Sequence, residues 1–362
     1  MSNDVVAFGS LYLDIITDPV IESRARRPNV LYGKERTLDD YDILDDGIFL
    51  KTLYEGRHLQ ITTSGGVENG SLRLIVGGEE TGCTYHTTIG GSTANFAVQL
   101  KLLGLNPLLI GKIGKDMYGD RLRILLQGTC EYHPLETNAK QTLSINIVNP
   151  ETKEAAMIVS GGSNRDLKPE EIDEQLQLGT PQFLYAGGFF KMRQLFPYYP
   201  EIFRRARERG CRVVLDHGRF LDTSGSSEYQ EVLKVVKDAL QHVDVYLPNE
   251  TEITELTGKS NLEGALKEVT QELGTKLIVC KRGANGCSFI TDSQVYHVPQ
   301  GHTTEQILHT VGAGDSFNAG LIKGLIENSD VERAARLGNA SAYLKITMGG
   351  YPTYSDVIQL LI

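Results

Sequence analysis

Long apolar runs, basic clusters and paired cysteines are all missing from this 362-residue chain. No stretch approaches the ~18 apolar residues that a membrane span needs, so no membrane partner is expected. No block of consecutive Lys or Arg occurs and the formal net charge is −10. Binding to a phosphate backbone needs a basic face, so a nucleic-acid partner is excluded as well. Cys83, Cys130, Cys211, Cys280 and Cys287 are odd in number, form no CxxC pair, and sit beside no histidine cluster with zinc spacing. They read as reduced thiols. The start, Met1-Ser2-Asn3-Asp4, lacks the basic n-region and cleavage site of a secretory signal, so a cytoplasmic location is expected. Apolar residues at 40% and charged residues at 23% suit a globular chain with a sizeable core.

Short apolar runs alternate with amphipathic stretches, the pattern of a mostly parallel sheet covered by helices. Strands are expected at Val5–Phe8, Pro107–Ile110, Phe183–Ala186, Arg212–Leu215, Val243–Leu247 and Leu277–Cys280. Helices are expected at Ala94–Leu103, Glu201–Arg209, Tyr229–Leu240, Leu262–Leu273, Ser316–Glu327 and Val331–Leu344. Two segments break the alternation. Residues 17–85 are polar with period-two runs such as Leu72, Leu74 and Val76, and have room for an extra helix or loop. In 141–159, Leu143, Ile145 and Ile147 alternate with polar residues before Asn149-Pro150 turns the chain back. The expectation is one α/β domain over 1–362, a three-layer sandwich with helices on both faces of a mainly parallel sheet. Segments 17–85 and 141–159 add a small β lid.

In open α/β sheets ligands sit beyond the carboxyl ends of the strands. Gly9, Asp14, Gly114, Asp116, Gly187-Gly188, Asp216, Asn249 and Lys281 follow the expected strands and are placed on one rim. Ordinary turn chemistry favours the same residue types. The strongest local signal is His309-Thr310-Val311-Gly312-Ala313-Gly314-Asp315-Ser316-Phe317, leading into a helix with Phe317, Leu321 and Leu325 on one stripe. Small residues let the N–H groups of Gly312, Ala313 and Gly314 converge on an anion, and the helix start adds partial positive charge. An Asp in a first helical turn also serves as a cap. A second helix opens with Gly90-Gly91-Ser92-Thr93-Ala94-Asn95, where Asn95 offers a donor and an acceptor to hydroxyls. A tight turn into a packed helix has the same composition.

Together, GGSTANFAVQLKLLG and HTVGAGDSFNAG resemble the two signature segments of the PfkB (ribokinase-like) carbohydrate kinases. Gly9–Asp14, GKIGKDMYG at 111–119, SNRDL at 163–167, PNETE at 248–252 and KRGANGC at 281–287 follow in the family's order. The resemblance covers the chain except roughly 20–80. It implies a ribokinase-like fold and an ATP-dependent kinase acting on a hydroxyl of a sugar or nucleoside. It implies Asp315 as the base, with Gly312, Ala313 and Gly314 as its anion hole. It also implies that Asp14, Gly90, Gly91 and Asn95 hold the substrate. The resemblance further implies that Asn249 and Glu252 organise Mg2+ through water and that Lys281, Gly283 and Asn339 border the nucleotide.

Three departures stand out. His309 replaces the Asp usual in a segment that helps hold an activating monovalent cation, which puts potassium activation in doubt. Tyr12 replaces an Asn that many relatives have. The segment between Asp14 and Gly90 is much longer than in compact members, and reads as an elaborated lid or a homodimer interface. Two other motifs fail. Gly77–Thr84 has P-loop spacing, but Cys83 stands where the lysine is needed. GSLYLD lacks G-x-G-x-x-G, which disfavours a dinucleotide-binding dehydrogenase. A non-catalytic nucleotide- or sugar-binding regulator is the rival from another class, supported by His309 alone.

Overall fold

A computed structural model describes residues 3–17, 35–38, 42–43, 48–54, 57–76, 79–148, 155–177, 179, 181–218, 227–291, 293–303 and 306–361. The chain opens with β1 (Val5–Gly9) and β2 (Tyr12–Thr17), then β3 (Glu35–Leu38), β4 (Asp42–Ile43) and β5 (Ile48–Tyr54). Next come β6 (Arg57–Ser64), β7 (Asn69–Val76), β8 (Glu79–Gly90), α1 (Ser92–Leu102) and β9 (Pro107–Gly114). After α2 (Met117–Leu126) lie β10 (Glu131–Thr137), β11 (Leu143–Val148), β12 (Ala155–Ser160) and α3 (Pro169–Gln177). β13 (Phe183–Gly187), α4 (Tyr199–Glu208), β14 (Arg212–Asp216), α5 (Ser227–Leu240) and β15 (Val245–Tyr246) follow. The last part holds α6 (Glu250–Thr257), α7 (Leu262–Leu273), β16 (Leu277–Lys281), β17 (Cys287–Thr291), β18 (Gln294–Val298), α8 (Ala313–Ile326), α9 (Val331–Met348) and α10 (Tyr354–Leu361).

The main sheet runs β10-β9-β1-β13-β14-β15-β16-β17-β18, parallel as far as β16 and antiparallel at its β17–β18 edge. Alternation explains the layers. Val6 and Phe8 on β1 point into a cluster with Ile172 of α3, Phe203 of α4, Val236 of α5 and Leu266 of α7. Val5 and Ala7 point the other way, against Phe96 of α1, Phe317 of α8 and Ala340 of α9. Each of these Val, Leu, Ile and Phe side chains contributes about 1.5–3 kcal/mol when fully buried. The expected sandwich, with helices on both faces, is what the chain forms.

The lid is larger than expected. A second sheet of nine strands, β3-β12-β11-β2-β8-β7-β6-β5-β4, forms a lid-like half-barrel. It takes in Tyr12–Thr17 and the whole of β8, so Asp14 belongs to this sheet and not to the rim of the main one. Its buried face (Leu13, Ile15, Ile145, Ile147, Ile158) packs on Leu109 and Ile113 of β9 and on Ala94 and Val98 of α1. The described parts of 17–85 are strands, without the extra helix that length allowed. The Asn149-Pro150 turn lies outside the described residues. Four helices escaped the pattern reading: α2, α3, α6 and α10. Each is short, eight to ten residues, so each has few turns in which to show a period.

Candidate active site

Close backbone packing builds the floor of the site. A Cβ on Gly9 would lie 2.1 Å from the Gly187 carbonyl oxygen and 2.6 Å from Thr93 Oγ1. Only glycine lets the ends of β1 and β13 meet the start of α1. Thr93 Oγ1 completes the joint by donating to the Gly187 carbonyl at 3.0 Å. The first turn of α8 then packs across the first turn of α1. Gly320, Gly324 and Gly338 bring α8 and α9 close enough that a Cβ at any of them would fall 2.6–2.9 Å from the other helix.

Gly312 caps α8 with φ 77° and ψ 4°. These angles, with a hydrogen bond from Ala313 N–H to the Thr310 carbonyl at 3.2 Å, have the signature of a type II turn, which requires φ > 0 at its third residue. The turn therefore engages one of the three N–H groups expected to face an anion. Among the described residues those of Gly312 and Gly314 remain for a ligand. Asp315 is held from α1 by two side chains on one helical face. Ser92 Oγ donates to its Oδ1 at 2.5 Å, and Asn95 Nδ2 donates to its Oδ2 at 2.9 Å. Asn95 is itself clamped, since Tyr351 Oη donates to its Oδ1 at 2.6 Å. Burial pushes the Asp315 carboxyl up to about 6.

A cavity of about 460 Å3 joins these groups to the second sheet. Gly91, Ser92, Asn95, Gly312 and Asp315 line it from the main layers, and Tyr12, Asp14 and Ser144 line it from the lid. Asn249 and Glu252 close one end. Asp14 is 4% exposed and its Oδ1 is buried without a hydrogen-bond partner. Burial, then the charge of Asp315, pushes its carboxyl up to about 7. Gly90 explains how this carboxylate fits: a Cβ there would lie 2.0 Å from Asp14 Cγ.

Asn249 and Glu252 form a capping box at α6. Asn249 Oδ1 accepts from Glu252 N–H, and Glu252 Oε2 accepts from Asn249 N–H, both at 2.8 Å. One oxygen of Glu252 thus serves the helix. Burial pushes this carboxyl up to about 7. No group of three or more His, Cys, Asp or Glu able to hold a metal occurs among the described residues. Direct protein coordination is therefore not what this pair offers. Two oxygen-bearing side chains at a cavity end do fit Mg2+, which keeps several of its waters.

Two lysines lie beneath the turn. Lys281 Nζ reaches Asp216 Oδ2 at 2.8 Å and the Leu247 carbonyl at 2.7 Å, and Asn318 Nδ2 also donates to Asp216. Burial opposes the Lys281 charge, but Asp216 and Glu252 outweigh it and raise its pKa. Its ammonium would stand 3.9 Å from a Cβ on Gly314. Lys345 supports the neighbouring residue: its Cε would touch a Cβ on Gly312 at 3.2 Å, and its Nζ lies 4.4 Å over the Tyr351 ring. Burial lowers Lys345 to about 8, against the pull of Asp315 and Asp14.

The structure thus brings Asp14, Gly91, Asn95, Asn249, Glu252, Gly312 and Asp315 to one cavity. Gly90, Ala313 and Gly314 stand just behind it. Lys281 is an internal ion pair, and Gly283 sits in an open turn with φ 55°. Asn339 ties α9 to the chain after β18 through the Val298 and Pro299 carbonyls, at 3.3 and 3.0 Å, and does not line the cavity. Asp116 is a helix cap, accepting from Tyr118 and Gly119 N–H, as turn chemistry alone would have it. Ser92, Tyr351 and Lys345 were missed. Ser92 had a signal, three residues before Asn95 and so on its face of α1. Tyr351 and Lys345 had none, because they arrive from the far end of the chain.

A family model described as pfkB family carbohydrate kinase matches residues 76–354. An ATP-dependent ribose-1-phosphate kinase of Halopiger xanaduensis is 31% identical over 257 residues, 70% of this chain and 79% of that protein. A ribokinase of Haemophilus influenzae is 25% identical over 302 residues, 78% of this chain and 90% of its own length. Among solved structures, Arabidopsis thaliana ribokinase complexed with ribose and ATP superposes with TM-score 0.68 at 20% identity, covering 100% and 99% of the two chains. A putative ribokinase II from E. coli in complex with ATP and Mg2+ gives TM-score 0.72 at 17% identity, covering 99% of each.

Proposed function

The chain belongs to the pfkB family of carbohydrate kinases, and from that premise we propose how its own residues transfer a phosphoryl group from ATP to a sugar hydroxyl. As a family member it is an ATP-dependent sugar kinase, a phosphotransferase with an alcohol acceptor. The observation that carries our assignment of roles is the placement of Asp315. It stands in the first turn of a glycine-capped helix and shares one cavity with Asp14 and with the Asn249–Glu252 cap.

Asp315 acts as general base. A carboxylate has about four acceptor sites, so the two hydrogen bonds from Ser92 and Asn95 orient it and leave room for an incoming hydroxyl. The proton passes to Asp315 as the sugar oxygen bonds to phosphorus, which suits a loose transition state. Asp14 holds the sugar from the lid side; Gly90 gives Asp14 its place, and Gly91 lets the start of α1 close on Ser10, where a Cβ would lie 2.4 Å from the carbonyl oxygen. The N–H groups of Gly312 and Gly314 receive charge that develops on the phosphoryl oxygens, reinforced by the α8 start and by the Lys281 ammonium behind it. Asn249 and Glu252 hold the waters of Mg2+, which when bound neutralises charge on the nucleotide phosphates. Lys345, though lowered to about 8, places a positive charge beneath Gly312 at neutral pH, and we read activity as independent of potassium.

The second sheet is read as the lid of a single kinase domain over 1–362. It excludes water that would compete for the phosphoryl group. Its edge strands β3 and β4 are where we place a homodimer contact. No described helix is long and apolar enough to cross a membrane, and we take the protein to act in the cytoplasm. A coupled ADP-release screen with MgATP over pentoses, hexoses, sugar acids, sugar phosphates and nucleosides tests the reading. ADP release with a sugar supports it, whereas no release with any alcohol contradicts it.

A further inference from the structure

A second cavity, of about 420 Å3, opens beside the reacting one and shares Tyr12 and Lys191 with it. Arg165, Lys191 and Arg193 line it, and among the described residues no carboxylate does. The three cations come from two segments tied together. Arg165 lies in the 3-10 turn Ser163–Asp166 after β12, and its guanidinium rests against Gly161, where a Cβ would be 2.1 Å from Cζ. Lys191 and Arg193 end and begin the 3-10 turns that follow β13, Phe189–Lys191 and Arg193–Tyr198. Gln194 Nε2 joins the two by donating to the Asn164 carbonyl at 2.7 Å. Asn164, on the same wall, is 2% exposed, and its Nδ2 has no hydrogen-bond partner while its Oδ1 accepts from Leu11 N–H. The cavity wall therefore carries two guanidinium groups, a lysine and a buried unmet donor.

Its position relative to the reacting cavity sets the ligand. Tyr12 and Asp14 are two apart on β2, on one face of the strand and about 6.8 Å apart along it. That is the span of a pentose or hexose from one end to the other. Resting on the sugar-kinase reading, we propose that the acceptor is a sugar bearing an anionic group, a phosphate ester or a carboxylate, held by Arg165, Lys191 and Arg193. Its far hydroxyl lies between Asp14 and Asp315. Burial and the neighbouring Arg193 lower Lys191 to about 7, a cost that a bound anion relieves. The reaction is unchanged: the sugar oxygen bonds to phosphorus, the bond to ADP breaks, and the hydroxyl proton goes to Asp315. With a phosphate ester the product is a sugar bisphosphate.

Steady-state kinetics of the full chain with MgATP test this, using a neutral pentose, its phosphate esters and an aldonic acid as acceptors. Charge-assisted hydrogen bonds from two guanidinium groups predict kcat/KM at least ~100-fold higher for an anionic acceptor than for the neutral pentose. The better of the phosphate and the carboxylate identifies the anion. Arg165→Gln and Arg193→Gln each raise KM for that acceptor about 10-fold, a loss larger than for the neutral sugar, with the KM of ATP unmoved. A neutral sugar turned over as well as both anions overturns the proposal and leaves the kinase reading standing. So does a rise in the KM of ATP in the arginine variants, which would give this cavity to the nucleotide. Should those variants not fold, the acceptor preference of the unaltered protein still decides. No ADP release with any alcohol would instead sink the kinase reading itself.

Discussion

Replacing Asp14 with Asn is expected to stabilise the protein while weakening its hold on the sugar. The carboxyl rises from 3.8 to about 7 in the folded chain, chiefly through burial. Between those values the folded state binds the proton that the unfolded state has lost, so stability falls as pH rises from about 4 to about 7 and is level above. At 1.36 kcal/mol per unit, the ionised group costs the fold about 4 kcal/mol at pH 8 and about 2 kcal/mol at pH 5. Asn has nearly the same shape, keeps clear of Gly90 as Asp14 does, and carries no charge. Its stabilising effect should therefore be about 2–3 kcal/mol larger at pH 8 than at pH 5. Urea denaturation of both proteins at the two pH values reads the difference directly. Glu252 is raised in both proteins and cancels to first order, whereas relief of Asp315, whose charge helps raise Asp14, is part of the same difference. Equal effects at both pH values, or a loss of stability at pH 8, would refute the reasoning that this carboxylate is held at a cost for function.

Gly90→Ala places a Cβ 2.0 Å from Asp14 Cγ and displaces that carboxylate. The sugar KM should rise about 10-fold or more, the loss of one charge-assisted hydrogen bond, with the KM of ATP unchanged. Tyr351→Phe removes the 2.6 Å bond that holds Asn95 on Asp315. A net hydrogen bond of about 1 kcal/mol predicts a roughly fivefold lower kcat at unchanged sugar affinity. Because Lys345 stands under Gly312, initial rates in sodium, potassium and tetramethylammonium salts at equal ionic strength should agree within about twofold, far below the ~10²-fold effect of losing a charge at a reacting phosphoryl group. Strong potassium activation would reject the built-in cation.

The main sheet was legible because its parallel strands are buried on both faces and read as unbroken apolar runs. Val243–Leu247 shrank to the two residues Val245–Tyr246: the Val243 N–H turns back to the Leu240 carbonyl, and Leu247 keeps a single bond to Leu215 of β14. The edge hairpin β17–β18 was not legible, since its second strand is mostly exposed and two consecutive exposed residues, Tyr296 and His297, break any alternation. The two glycine-rich helix starts announced the site, yet the placement of their residues did not follow from their order. Asp14 reads as the end of the first strand but sits on the lid sheet, because the chain crosses between sheets at Ser10–Leu11. The N–H of Ala313 looked free in the string of small residues, and only the φ of Gly312 reveals the turn that takes it. Tyr351, Lys345 and the Arg165–Lys191–Arg193 group depend on contacts between segments far apart in the chain. No local period encodes such contacts.

Asp315→Asn carries the most direct test, measured as single-turnover phosphoryl transfer alongside sugar and ATP binding by calorimetry. The account predicts that the substitution preserves both affinities within a few-fold and slows transfer by about 10²–10⁴ or more. Transfer at the unaltered rate would contradict it, because no other carboxylate on the cavity wall stands at the start of a glycine-capped helix.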